Sequence, residues 1–241
     1  MRRLYYDLHN HSCLSPCADN DSTPNNIAGM AALNGINVVA LTDHNTTKNC
    51  PAFFEAARRY GIIPIAGMEL TTSEDIHTVF LFYSLEDAMR FDGEISKRRV
   101  LIKNRPDIFG EQLILDGEDN IIGSDEHLLS NATTVSVEEV TALAKAFGGI
   151  SYPAHVDRDA NGIVSILGTI PKHLNFACVE LHSKDNLQLY KEKYIPNGVL
   201  TLFGSDSHCL TDMPEADGYL EVDTDSEDPD ELRRLFLDLL R

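Results

Sequence analysis

Near the N-terminus, Asp7-Leu8-His9-Asn10-His11 closes an apolar run with two histidines two positions apart. In extended chain their side chains leave the same face. Two neutral imidazoles on one face can chelate a divalent ion at about 2.0 to 2.1 Å each. A lone His-x-His recurs by chance too often to carry a conclusion. Four further strand-like runs, however, end in residues of the same kind. They are Val38 to Thr42-Asp43-His44, Ile62 to Gly67-Met68-Glu69, Ile150 to Pro153-Ala154-His155, and Leu200 to Gly204-Ser205-Asp206-Ser207-His208. The recurrence predicts that separate strand ends converge on one metal centre. Parallel barrels have that geometry, because their buried strands read as continuous apolar runs and their chemistry sits at the C-terminal strand ends.

In their order and spacing these motifs resemble the polymerase and histidinol phosphatase (PHP) superfamily of metal-dependent phosphoesterases. The resemblance implies an α/β fold of the distorted (β/α)7 TIM-like barrel type with a two- or three-metal centre at its mouth. It also implies ligand roles: His9, His11, Glu69 and Asp206 for one ion, His44 and His208 for a second, and His77 with His155 for a third, Glu69 bridging. A carboxylate can bridge because each oxygen donates separately, and paired ions in hydrolases lie about 3.5 to 4 Å apart. Glu69, Asp206 and His208 are the expected catalytic core. Family members often carry an Asp or His shortly after the first ligand, where this chain has Pro16 and Cys17. Asp19, the nearest carboxylate, is the expected replacement, with Cys17 as a soft ligand and Asp21 left open.

Around these ligands, Arg158 is expected to hold two phosphate oxygens in its planar fork; the alternative is a surface pair with Asp157 or Asp159. His182 ends the run Val179-Glu180-Leu181, where it either donates a proton at the mouth or satisfies a core contact. Asp7 and Asp43 read as acceptors behind the ligands, and His127 and His173 as surface residues.

The elements that must position these groups alternate. Helices are predicted over 24–34, 51–60, 85–97, 136–147 and 228–240, from Pro and cap residues at their starts and apolar residues at helical spacing. A strand is predicted over 76–83. The segment 98–134 breaks the alternation and reads as an insertion near the mouth. Its run Gln112 to Gly123 carries Asp116-Gly117, a hairpin turn signal.

At 241 residues the chain suits a single domain over 1–241, within the roughly 200 to 250 residues common for barrels. Twenty Lys and Arg against 38 Asp and Glu give a formal net charge of −18. That balance opposes nonspecific attraction to nucleic acid and to anionic membranes, so the expected partner is a small phosphorylated solute, with no nucleic acid and no membrane. Met1-Arg2-Arg3 leads straight into a strand and no long apolar stretch follows, so the expected compartment is cytoplasmic. Five cysteines without paired spacing predict reduced thiols.

The chemistry expected from such a site is hydrolysis of a phosphomonoester by water acidified between zinc, manganese or iron ions. Three ions, three carboxylates and one hydroxide would leave a site of about +2, suited to a phosphate dianion. Two alternatives keep the metals: C–N hydrolysis of the amidohydrolase kind, and a nonenzymatic regulatory metal domain. A glycosidase pair of Glu69 and Glu180 would leave the histidines unexplained.

Overall fold

The computed structural model describes residues 1–241. Its strands, in chain order, are β1 (Arg2–Asp7), β2 (Val38–Leu41), β3 (Ile63–Thr71), β4 (His77–Phe82), β5 (Leu113–Leu115), β6 (Ile121–Ser124), β7 (Gly149–Pro153), β8 (Cys178–Leu181), β9 (Leu200–Phe203) and β10 (Tyr219–Val222). The helices are α1 (Pro24–Leu33), α2 (Cys50–Tyr60), α3 (Leu85–Ile95), α4 (Pro106–Phe109), α5 (Val140–Ala146), α6 (Ile163–Leu167), α7 (Leu187–Lys193) and α8 (Pro229–Asp238). No helix is long and apolar enough to cross a membrane.

Six strands form one sheet in the order β10-β1-β2-β3-β4-β7, and β8 pairs separately with β9. The result is an α/β fold with a curled half-barrel sheet. β1, β2 and β3 are parallel, as are β8 and β9, but β4 runs antiparallel to both β3 and β7. That reversal matters for the site. The first residue of β4, His77, pairs with Thr71, the last residue of β3, so the start of β4 lies where its neighbours end.

Side chains alternate between two apolar clusters. Val38, Ala40, Ile63, Ile65, Val79 and Leu81 pack inside the curl, whereas Val39, Leu41, Ala66, Met68, Phe80 and Phe82 pack against helices through Ile27, Phe53 and Phe91. Both faces are buried, so the period of two is present but invisible as an apolar–polar alternation. Glu69 shares the inward face of β3 with Ile63 and Ile65, and it is completely buried.

Helix starts follow local chemistry. Thr23, Ser84 and Asp228 accept hydrogen bonds from backbone amides two or three residues on. α5 begins at Val140, later than its cap-like signal, because Ser136 to Glu139 form a separate turn in which Glu139 accepts from the Ser136 amide. Between α3 and α5, β5 and β6 pair antiparallel across Asp116 to Asn120, with a bulge at Ile114 and Leu115. The surrounding segment is fastened to the site loops. Asn45 Nδ2 donates to the carbonyls of Leu129 and Asn131, and Asn49 bonds to both Leu113 and Leu115. All five cysteines are free.

Candidate metal centre

The donors arrive at one place from separate strand ends. His9 and His11 lie just beyond β1, in a segment held by a parallel bridge between Asn10 and Ser207. His44 follows β2 and bridges to Glu69. His77 opens the reversed strand, His155 follows β7, and Asp206 and His208 follow β9. His155 and Asp206 have φ values of 27° and 52°. Left-handed backbone at a residue with a Cβ costs of order 1–3 kcal/mol and persists where surrounding contacts enforce it.

Glu69 is the hub. Its Oε1 lies 3.2 Å from His9 Nε2, 2.8 Å from His77 Nδ1 and 3.1 Å from His155 Nε2. Its Oε2 lies 3.3 Å from His11 Nε2 and 3.0 Å from His44 Nδ1. Asp206 Oδ1 completes the ring, 3.3 Å from His9 Nε2 and 3.1 Å from His11 Nε2. Three sets of donor atoms lie close enough together to hold an ion: His9, His11, Glu69 and Asp206; His11, His44 and His208; and His44, Glu69 and His77. The first is the set expected for the first ion. The second adds His11 to the expected pair, and the third has His44 where His155 was expected.

These residues suit a divalent metal on direct structural grounds. His9 Nε2, His11 Nε2, His44 Nδ1, His77 Nδ1, Glu69 Oε2 and Asp206 Oδ1 are all buried, and none makes a well-formed hydrogen bond. Unsatisfied buried polar atoms are costly singly. A cluster of lone pairs of this kind, from imidazoles and carboxylates, is what a hard or borderline divalent cation requires.

Behind the donors, other groups fix the rings. Ser15 Oγ accepts from His11 Nδ1 at 2.9 Å and donates to Asp43 Oδ1 at 2.8 Å, so Asp43 orients His11 through the hydroxyl. His208 Nδ1 donates to the Asp206 carbonyl at 2.8 Å. Asp7 accepts from the Ser205 hydroxyl and amide. Burial raises Asp7 to about 6, against the opposing pull of these bonds.

Electrostatics reflect the crowding. Burial opposes a charge on His9, but Glu180, Glu69 and Asp206 outweigh it and raise that ring well above 6.5. Burial likewise opposes His11 and His44, yet Asp206 and Glu69 hold His11 up at about 9, and Glu69 does the same for His44. His208 goes the other way, to about 4, through burial and the neighbouring charge of His11. Burial penalises the Glu69 and Asp206 carboxylates, but the surrounding imidazoles keep both well below the usual range.

A cavity of about 140 Å³ opens onto this cluster, lined by His44, Glu69, His77, His155, Asp206 and His208 together with Arg158 and Asn161. Arg158 is not a surface pair of Asp157 or Asp159. Its guanidinium contacts Asp206 and donates to the His182 ring at 3.2 Å. Asp157 instead accepts from the His182 and Ser183 amides. His182 is therefore at the rim, exposed, neither coordinating nor in the core. Burial, then the Arg158 charge, lowers its pKa.

Asp19 does not reach the centre. It is exposed, and it touches the site only through its backbone amide, which donates to the His208 carbonyl at 2.9 Å. The short turn from Ser15 to Ser22 spends that position on backbone bonds, which turns the carboxylate outward. Of the residues left open beside it, Cys17 is exposed, and the exposed Asp21 accepts from Asn26 Nδ2 through its backbone carbonyl. His173 is exposed and pairs with Glu138. One residue that sequence reasoning weighed only as a glycosidase partner belongs here: Glu180 accepts from His9 Nδ1 at 2.8 Å. The available signal was a charged residue inside the apolar run 178–181, where burial demands a partner.

The family model described as PHP domain matches residues 7–194. Over 77 residues, 32% of this chain and 7% of the relative, the sequence is 38% identical to an error-prone DNA polymerase of Symbiobacterium thermophilum. Over 79 residues, 32% of this chain and 28% of the relative, it is 38% identical to a 5'-3' exoribonuclease of Haemophilus influenzae. The matched stretches span less than a third of either relative's length. A lesion-specific endonuclease from Pyrococcus furiosus shares the fold, with a TM-score of 0.61 and 16% identity over 97% of this chain and 55% of that one.

These relatives overturn the expectation that nucleic acid is excluded as a partner. Net charge sums the whole surface, whereas a phosphate at the mouth meets the field of the local donors, Arg158 and any cations held there.

Proposed function

The chain belongs to the PHP domain family, and from that premise we propose that it is a metal-dependent phosphoesterase acting on the phosphate ester of a nucleotide, free or at the end of a strand. The observation that carries this reading is the set of buried, unpartnered donor atoms gathered on Glu69. Divalent ions bound there would acidify water and neutralise the phosphate oxygens.

The remaining work falls to the chain itself. His9, His11, Glu69 and Asp206 would hold one ion, with His44, His77 and His208 holding a second and, if three are bound, a third. Asp43 and Ser15 keep the His11 ring from rotating. Arg158 stands at the rim where a nonbridging phosphate oxygen would enter, and His182 lies against it. The narrow cavity favours a single phosphate group over the flank of a duplex. The finer picture we adopt is a distorted (β/α)7 frame with residues 98–134 as an insertion beside the mouth, working in the cytoplasm.

The test is purification without chelators, metal analysis, and assay of two probes: a generic phosphomonoester and a short 5'-phosphorylated single-stranded oligonucleotide. Metal-dependent release of phosphate or nucleotide from at least one is expected. Metal-loaded protein inert towards both would refute the reading.

A further inference from the structure

Glu180 lies inside β8 and is 1% exposed, an environment in which a carboxylate is costly unless donors meet it. One oxygen is met twice, and the other, Oε2, is buried without a partner. Oε1 accepts from His9 Nδ1 at 2.8 Å and from the His155 backbone amide at 3.1 Å. It thus grips two donors of the centre, one beyond β1 and one beyond β7. Glu180 does not line the mouth cavity, so whatever it does is done through those two residues.

We infer that Glu180 is a positioning residue which sets the tautomer and ring orientation of His9, and holds the His155 backbone, so that both face the metal centre. An imidazole that donates from Nδ1 has its lone pair on Nε2. In His9 that Nε2 faces Glu69 Oε1 and Asp206 Oδ1. The same bond prevents the ring from flipping. At His155 the amide bond supports a residue whose φ of 27° is otherwise unfavourable. The sequence makes room for this arrangement at Gly204. A Cβ there would lie 2.3 Å from Glu180 Oε2 and 2.9 Å from His9 Cβ. The glycine of Gly204-Ser205-Asp206 is therefore spent on admitting the carboxylate, with a backbone φ that any residue could adopt.

The inference rests on the metal reading, and the experiment separates the two. Zinc affinity is measured by competition with a chromophoric chelator for the parent, Glu180→Gln, Glu180→Ala and Gly204→Ala, with circular dichroism of each. Glu180→Ala should weaken zinc binding by about 10- to 100-fold, the usual effect of losing a partner behind a ligand. Glu180→Gln, whose amide oxygen can still accept both N–H groups, should recover most of the loss. Gly204→Ala, which displaces the carboxylate without removing it, should weaken binding too. In zinc-loaded protein carrying 15N-histidine, the His9 Nδ1 proton should be present in the parent and in Glu180→Gln and averaged in Glu180→Ala. If Glu180→Ala fails to fold, Gly204→Ala and Glu180→Gln decide. Parent-like affinity in folded Glu180→Ala or in Gly204→Ala, or a Gln variant as weak as the Ala variant, overturns the inference. A parent that takes up no zinc overturns the metal reading as well.

Discussion

Asp206 divides its two oxygens between neighbours of opposite kind. Oδ1 faces the unpartnered Nε2 atoms of His9 and His11, while Oδ2 is paired with the guanidinium of Arg158. The guanidinium is thereby anchored at the cavity rim with its other amino group turned to His182. Replacing Arg158 by Lys keeps a charge and loses the fork. We expect Arg158→Lys to lower kcat/KM by about 10- to 100-fold, or roughly 1.4 to 2.7 kcal/mol of transition-state stabilisation, with metal content unchanged. Steady-state kinetics beside metal analysis would show it, and a parent-like kcat/KM would remove Arg158 from the reaction.

Metal removal should be decisive. Exhaustive dialysis against chelator is expected to abolish hydrolysis, and added manganese or zinc to restore it. Asp206→Asn and His9→Ala should each lose metal and turnover while keeping the parent's far-ultraviolet dichroism, since the apolar clusters inside and outside the curl do not depend on them. Turnover persisting at nil metal content would sink the mechanism.

Acid stability should depend on a buried carboxylate in the segment 98–134, Asp125. Asp125 is buried and accepts from both amino groups of Arg99, at 2.9 and 3.0 Å, and from Lys48 at 2.7 Å. Burial works against its charge, but these bonds hold its pKa well below 3.8. A lowered folded-state pKa contributes stability above the unfolded value and loses it as pH falls through the folded one. Stability from Asp125 should thus be complete at neutral pH and decline below about pH 4. Arg99→Met should cost about 3 kcal/mol at pH 7 and flatten that decline. Urea unfolding of both proteins from pH 7 down to 3 is the measurement, and parallel curves would contradict the assignment.

Gly67 should not tolerate a side chain. A Cβ there would meet the Phe80 carbonyl at 2.7 Å and Thr42 Cγ2 at 2.8 Å. Because the nearer atom is backbone of the paired strand, relief requires β3 and β4 to part. Gly67→Ala is expected to cost about 2 kcal/mol, read as a lowered denaturation midpoint, and an unchanged midpoint would mean the strands give way freely.

Most of the centre was legible in sequence because a ligand set leaves polar residues at the ends of apolar strands. His9, His11, His44, Glu69, His155, Asp206 and His208 all stood in such places. His77 stood at a strand's start, where the rule of C-terminal ends does not reach, and it joins the cluster because β4 is reversed. Strand direction is a property of pairing, which a single segment does not encode. Asp19 failed for a related reason: distance along the chain says nothing about which way a tight turn points a side chain. Glu180 was passed over because its partner, His9, is 171 residues away. The helix starts expected at 24 and 85 coincide with the observed ones, each fixed by a capping side chain, Thr23 and Ser84.

The curl is not closed by a continuous strand ladder; only the single bridge between Asn10 and Ser207 spans the gap from β9 to β1. β7 and β8 belong to different sheets, as do β9 and β1, and at both gaps the connections gather at the mouth. Val156 and His155 reach Glu180 across one, and His11 reaches Ser207 and Ser205 reaches Asp7 across the other. An ion seated between His9, Asp206 and Glu69 would act as a clasp over two seams at once, and its binding energy would become cohesion of the whole hoop. Losing the ion should loosen β8 and β9 before the other strands, and amide hydrogen exchange there would report the state of the clasp without any substrate.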